Sequence, residues 1–399
     1  MDISPPLTPA VLPAPLPAIP PSMESRSDET LPQVNPSMCS AKTAVVPMVY
    51  VPVETPVWIK GYSSPLSARC VENYLNDTLT MTYVNRIDEG GFSKISAWQG
   101  PDGHIYAVKI IDSKHREKTS MKGELKALPL RHPNIVRTYG VVCQADKQFH
   151  VVTEDTLGAT KADEVGIAAI VTELVPGKDV MELRIRDELP DNLETYLSIV
   201  IQTCKALTYL HQECQLVHFD VKEENIMYDK ETGAAKLIDL SFLRSSSDES
   251  FTAGVIGTYK ALSPELIQTI RDGKRMVNDP SVDIWAVGSL LMSLLTSSHS
   301  PAQFNKAGTS FFPNFVPSKT DRIIIEQRIL NFAKTRPNLK KLLIKSKIYN
   351  EKILKIKDIL DLTVNLLSEK PEQRYSIDQV VKQLEEISVR LPVPPGKMN

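Results

Sequence analysis

Val217-His218-Phe219-Asp220-Val221-Lys222-Glu223-Glu224-Asn225-Ile226 sets a carboxylate, an ammonium and an amide within one short run, flanked by segments of helical pattern. Upstream, LETYLSIVIQTCKALTYLH (193–211) repeats apolar residues at Leu193, Leu197, Val200, Ile201, Cys204, Leu207 and Leu210. That spacing of three and four predicts a helix with one buried stripe. Downstream, VDIWAVGSLLMSLLT (282–296) is apolar nearly all round and predicts a central, buried helix. The helical pattern begins near Pro176.

Before Pro176 the period changes. MTYVNRI (81–87), SKISAWQ (93–99) and HIYAVKII (104–111) read as strands, with Pro101-Asp102-Gly103 as the turn between the last two. A helical stretch is expected around 117–128, followed by strand-like NIVRTYGVV (134–142) and AAIVTEL (168–174). The polar residues of roughly 145–165 read as an exposed loop. The expected fold class is α+β. A small antiparallel β-rich lobe with one main helix covers 80–175, and a larger, mainly helical lobe covers 176–392.

Charge and composition narrow the function. Lys+Arg is 46 and Asp+Glu is 48, for a net charge of -2. A near-neutral balance argues against a dedicated nucleic-acid binder, so no nucleic-acid partner is expected. The 5 Cys are odd in number, and none is spaced Cys-x-x-Cys. This argues against a disulfide scaffold or structural zinc and points to a reducing compartment such as the cytoplasm, with export to a host cell left open. No run of about 18 apolar residues is free of charge and proline, so no membrane span is expected.

Of 29 Pro, 14 lie within residues 1–70, alongside a single Gly, Gly61. Residues 1–75 are therefore expected to be a disordered or polyproline-like tail, either a docking or targeting segment or a solvated leader. Residues 334–357 hold nine Lys/Arg and one acid, which suits either a solvated helix face or a docking surface for acidic partners or phospholipid.

Other motifs surround the first in order. Ile87-Asp88-Glu89-Gly90-Gly91-Phe92-Ser93-Lys94-Ile95 carries a glycine pair, and bare glycines let backbone N–H groups approach phosphate oxygens. Ala107-Val108-Lys109 sets a lysine on a strand, where burial is costly unless an anion pairs with it. There follow His132-Pro133-Asn134-Ile135-Val136, Thr172-Glu173-Leu174-Val175-Pro176-Gly177, Lys236-Leu237-Ile238-Asp239-Leu240-Ser241, Gly257-Thr258-Tyr259-Lys260-Ala261-Leu262-Ser263-Pro264-Glu265 and Asp283-Ile284-Trp285-Ala286-Val287-Gly288. Over about residues 82–390 the chain resembles the eukaryotic-type protein kinases of the Ser/Thr branch.

That resemblance implies ATP and Mg²⁺ as cofactors and Ser/Thr-bearing proteins as substrates. It implies that Asp220 accepts or orients the substrate hydroxyl's proton, that Lys222 stabilises the γ-phosphate, and that Thr258 bonds both. Asn225 and Asp239 would hold the metal. Gly90, Gly91 and Phe92 would cover the phosphates, Ile87, Ile95, Ala107, Thr172, Glu173, Val175 and Met227 would surround the nucleotide base, and Asp179 would reach the ribose. Lys109 would pair with a helix carboxylate, Glu124 or Glu117. Asp283 would hold the catalytic loop's backbone, and Glu265 would pair with Arg374.

Three departures from the family pattern stand out: Asp88 and Ser93 at glycine positions, Phe219 where the family carries Arg, and Leu240-Ser241 in place of Phe-Gly. The Arg normally receives an activation-loop phosphate, so its absence predicts activity without one, although residues 245–252 (SSSDESFT) offer hydroxyls. The competing reading is a pseudokinase that binds nucleotide or acts as a scaffold. A small-molecule phosphotransferase of related architecture is a third reading, disfavoured by the Ser-Pro-Glu and Asp-Ile-Trp-Ala-Val-Gly motifs.

Overall fold

The computed structural model describes residues 67–89, 93–113, 123–145, 148–160, 165–245, 261–274, 278–295, 319–335 and 356–391. Residues 1–66, the glycine pair with Phe92, Glu117, Thr258 and most of the basic 334–357 run lie outside them.

Order starts earlier than expected. Helix α1 (Ala68–Asp77) lies partly inside the stretch assigned to a disordered tail. Its Val71, Tyr74 and Leu75 are buried at helical spacing and join Trp98, Tyr106 and Phe149 in one apolar cluster. The ten residues contain neither Pro nor Gly. Their amphipathic pattern is hidden only because the 67 preceding residues are so rich in proline.

Six antiparallel strands form the first sheet, in the order β1-β2-β3-β6-β4-β5. They are β1 (Thr82–Glu89), β2 (Ser93–Gln99), β3 (Ile105–Ile111), β4 (Thr138–Ala145), β5 (Gln148–Val152) and β6 (Gly166–Glu173). The expectation of an exposed loop over 145–165 is corrected by β5, whose Phe149 and Val152 are buried. Five residues between charged neighbours carry too few apolar positions to reveal a period; pairing with β4 supplies the rest. Helix α2 (Gly123–Ala127) is the described part of the helix expected at 117–128.

Asn134–Arg137 was expected to open β4 but bonds elsewhere. Val136 N donates to Leu237 O at 2.8 Å, and Leu237 N donates to Asn134 O at 2.8 Å. This short parallel contact ties the sheet-bearing part of the chain to the helical part.

The two-residue strand β7 (Lys178–Asp179) opens the second region, and α3 (Val180–Ile185) follows directly. Helix α4 (Leu193–Thr208) starts at Asn192, whose side chain accepts from Thr195 N at 2.8 Å, an N-cap that satisfies an otherwise orphaned donor. Strand β8 (Leu216–Val217) leads into the ten-residue run and β9 (Ile226–Tyr228) leads out of it; β10 (Ala235–Leu237) pairs with β9. The two-residue β11 (Arg244–Ser245) pairs back with β8. Helix α5 (Pro264–Arg271) has Pro at its first position. In α6 (Ser281–Leu295) every residue after Ser281 is buried, as its uniform hydropathy requires. Helices α7 (Lys319–Thr335), α8 (Ile356–Leu366) and α9 (Ile377–Val389) complete the region. Gly288 on α6 lets α8 approach: a Cβ there would lie 2.8 Å from Leu366 Cβ. The whole is an α+β fold with an antiparallel sheet lobe and a helical lobe. No helix among the described residues is long and apolar enough to cross a membrane.

Candidate active site

The β8–β9 loop holds its polar groups by backbone geometry first. Phe219 has φ of 66°, a left-handed conformation that a bulky residue adopts only when its surroundings demand it. Asp283, fully buried on α6, makes that demand. Its Oδ1 accepts from Phe219 N at 2.8 Å, and its Oδ2 accepts from His218 N at 2.8 Å and lies 2.9 Å from His211 Nε2. Burial alone would raise the Asp283 pKa, but the bonds and charges of His211 and His218 bring it below the ordinary carboxylate range. The expected hold of Asp283 on the loop is therefore present, and His211 is an addition to it. The Phe219 side chain enters an apolar cluster with Leu262, Leu266, Ile267 and Trp285.

Within the loop, Asp220, Lys222 and Asn225 converge. Asp220 is buried; its Oδ2 accepts from Asn225 Nδ2 at 2.8 Å and lies 2.9 Å from Lys222 Nζ. Asn225 Nδ2 also donates to Asp220 O at 2.8 Å, so its amide nitrogen faces Asp220 and its carbonyl oxygen faces away. Burial pulls the Lys222 pKa down, but Asp220, Glu224 and Asp239 outweigh it and leave the ammonium above its ordinary value. His218 Nδ1 accepts from Asp220 N at 3.2 Å, and burial, the leading cause, lowers the His218 pKa against the pull of Asp283 and Asp220.

Opposite lies the lysine of β3. Lys109 Nζ is 2.8 Å from Asp239 Oδ2. Burial is the largest influence on Asp239, yet the Lys109 ammonium and the Ser241 hydroxyl hold its carboxyl far below the usual range. Lys109 is likewise kept above its ordinary pKa against burial by Asp239 and then Glu124. Of the two carboxylates expected beside Lys109, Glu124 is within its electrostatic reach, while Glu117 lies outside the described residues. The expected direct pairing is corrected, however: Lys109 takes Asp239, and Glu124 Oε1 lies 2.9 Å from Ser241 Oγ. The carboxylate of Asp239, on a left-handed backbone (φ 58°), lies at bonding distance from the ammonium, and no ion pair among the described residues joins Lys109 to the helix side chain.

The residues expected around the nucleotide base line up through strand register. Ile95 stands across from Lys109, and Ala107 across from Thr172. Met227 on β9 pairs with Asp179 on β7 and with Lys236 on β10. Ile87 on β1 is 46% exposed, as a residue at an open rim would be. Thr172 Oγ1 donates to Glu173 O at 3.2 Å. Glu173 Oε1 accepts from Arg137 N at 2.8 Å and Lys236 Nζ at 2.6 Å, so its side chain ties the connection between the two regions. Val175 is partly buried against the main core. Gly177 (φ 91°) admits no Cβ, because Tyr228 O occupies its place. Asp179 caps α3, its Oδ1 accepting from Glu182 N at 2.8 Å; burial first, then Glu182 and Glu224, raise its pKa.

Two contacts gave no advance signal. Glu223 is buried and paired with Arg184 of α3, which also donates to Ser293 Oγ at 3.1 Å. Ser241 Oγ joins Glu124 to Asp239. Neither follows from spacing, since each spans at least 39 residues of chain. The Glu265–Arg374 pair was expected and is bidentate, at 2.8 and 2.7 Å, with Arg374 stacked over Trp285. A separate concavity of about 760 Å³ lies between α4 and α9, lined by His132, Lys205, Tyr209, Asp378, Lys382 and Glu385, and shares none of the cleft residues.

The protein kinase domain family matches residues 81–384. Calmodulin-binding receptor-like cytoplasmic kinase 3 of Arabidopsis thaliana is 29% identical over 237 residues, covering 55% of this chain and 41% of the relative. A probable receptor-like serine/threonine-protein kinase of the same plant is 28% identical over 259 residues, 61% of this chain and 53% of the relative. Calcium/calmodulin-dependent protein kinase type 1 of Caenorhabditis elegans is 28% identical over 228 residues, 55% of this chain and 58% of the relative. The chain thus spans about half the length of these curated relatives.

Proposed function

We propose, since the chain belongs to the protein kinase family, that it transfers the γ-phosphate of ATP to Ser/Thr hydroxyls of protein substrates. The convergence of Asp220, Lys222 and Asn225 across from Lys109 and Asp239 carries this reading. Phosphoryl transfer asks the protein mainly for positioning and charge neutralisation, and these five side chains are suited to both.

The residues present fit Mg²⁺. Asp239 and the outward-facing Asn225 carbonyl are hard oxygen donors, and the amide orientation of Asn225 is set by Asp220. Among the described residues no group of three or more His, Cys, Asp or Glu is placed to hold a metal. A carboxylate, an amide and nucleotide phosphates make a shell that needs no such group. When bound, the ion neutralises charge on the phosphates.

The protein's own work is assigned to named groups. Asp220 orients the substrate hydroxyl and accepts its proton. Lys222 neutralises charge beside Asp220 as the phosphoryl group moves. Lys109 anchors the phosphates and gives up part of its Asp239 contact to do so. Ile87, Ile95, Ala107, Thr172, Glu173, Val175 and Met227 bound the base, and Asp179 reaches the ribose. Gly90, Gly91, Phe92 and Thr258 keep their assigned roles as proposals. Residues 80–175 and 176–392 act as the two lobes.

Activity without activation-loop phosphorylation is part of the proposal. A buried apolar Phe219 offers a phosphate no cation, and its cluster with Leu262 and Leu266 supports the substrate-side segment directly. The pseudokinase alternative draws on Phe219, Leu240-Ser241 and the altered glycine positions. The test is a kinase assay on a degenerate peptide library, wild type beside Asp220→Asn. Loss of a positioned base predicts at least a 10²–10⁴-fold fall, about what general-base catalysis contributes. Equal, negligible transfer by both proteins would favour the scaffold reading.

A further inference from the structure

Ser241 stands where the resemblance expects glycine, and it is 2% exposed. Its hydroxyl meets two carboxylates. Oγ is 2.5 Å from Asp239 Oδ1 and 2.9 Å from Glu124 Oε1. Its backbone is engaged by the same helix, because Gly123 N donates to Ser241 O at 3.1 Å. The approach leaves no room at Gly123: a Cβ there would lie 2.6 Å from Ser241 O and 2.5 Å from Leu243 N. The N-terminal end of α2 is thus seated on the 240–243 backbone, and the serine side chain bridges that seat to Asp239.

The two oxygens of Asp239 are held from different sides. Oδ2 meets Lys109 Nζ at 2.8 Å, and Oδ1 meets the Ser241 hydroxyl. The carboxylate plane is therefore set at both ends, on a residue whose left-handed backbone (φ 58°) needs support. A hydroxyl occupies one lone-pair direction of a carboxylate and leaves others for a cation. Partners of this kind fix a ligand's orientation and tune its affinity for metal. Glycine at this position would keep the backbone contact with Gly123 and lose the side-chain bridge.

We infer that Ser241 is a positioning residue whose hydroxyl orients Asp239 toward its cation and makes that orientation depend on the seat of α2. The inference rests on the proposed metal role of Asp239. It concerns a residue that touches neither substrate nor cation.

The test is the affinity of the 399-residue chain for a fluorescent ADP analogue, with Mg²⁺ and with EDTA, for wild type, Ser241→Ala, Ser241→Gly and Asp239→Asn. Ser241→Ala and Ser241→Gly should lose about 10–100-fold of the Mg²⁺-dependent gain in affinity while the metal-free affinity stays unchanged, the range typical of partners behind a metal ligand. A purely structural role would weaken both affinities alike, and that result overturns the inference. So does a gain within about twofold of wild type in both serine variants while Asp239→Asn loses it. If Asp239→Asn itself keeps the full Mg²⁺-dependent gain, the metal assignment falls first, and the inference with it.

Discussion

Asp220 and Asp239 face the same cleft, yet the segments that carry them are anchored differently. The Asp220 loop hangs from one buried carboxylate on an almost wholly apolar helix. Asp283 receives two backbone donors and a histidine, and Phe219 is clamped among Leu262, Leu266 and Trp285. Its anchor contacts are short-range and enclosed. The Asp239 segment is also tied through its backbone, but its carboxylate is held by an opposite charge and a hydroxyl, Lys109 and Ser241, with Glu124 beyond the serine. Those contacts change whenever a proton, a cation or a phosphate enters. One wall of the cleft is therefore built as a fixed base and the other as a responsive one.

The largest break of this comparison comes at Asp283. Asp283→Ala leaves two backbone N–H groups and His211 without their acceptor, and should destabilise by about 3–5 kcal/mol, as removal of one buried partner does. Urea unfolding measures it; a cost within experimental error would show that the loop is held by Phe219 packing instead.

Glu124 gives a smaller effect with a definite sign. Burial, the leading cause, raises its pKa from 4.5 to about 7 despite Lys109 and the Ser241 bond. The folded protein therefore holds this proton more tightly than the unfolded chain. The resulting stability is complete below the unfolded value and is lost as pH rises toward the folded one. Between about pH 5 and about pH 8 the wild type should lose stability that Glu124→Gln keeps. Parallel denaturation midpoints for the two proteins across that range would refute the account.

The smallest effect sharpens the contrast. With Phe219 in the fixed wall, alanine at Ser245, Ser246, Ser247, Ser250 and Thr252 together should leave peptide phosphorylation within about twofold of wild type. A collapse of turnover that acidic replacements restore would assign the loop a phosphate-driven role.

Much of this site is legible along the chain because phosphoryl-transfer groups sit in short, dense motifs. Asp220, Lys222 and Asn225 lie within six positions, and one backbone turn brings them together. The β3 lysine and the buried helix α6 announce themselves by local pattern in the same way. Helix α1 and strand β5 were hidden for opposite reasons. Proline-rich neighbours masked α1, and β5 is too short for its period to outweigh flanking charge; both are stabilised by packing against the sheet through Tyr74 and Phe149, whose ring centroids are 5.5 Å apart.

The ordered motifs along the chain, through their resemblance to a known family, pointed to that family and to the groups proposed for nucleotide and hydroxyl, and the change of hydropathy period pointed to the α+β class. Partner choice was decided only in three dimensions. Lys109 bonded Asp239 rather than Glu124, Arg184 found Glu223, and Ser241 came to lie between two carboxylates. The reason is physical: a buried charge takes whichever opposite group the packed backbone sets at bonding distance, and sequence separation carries no record of that distance.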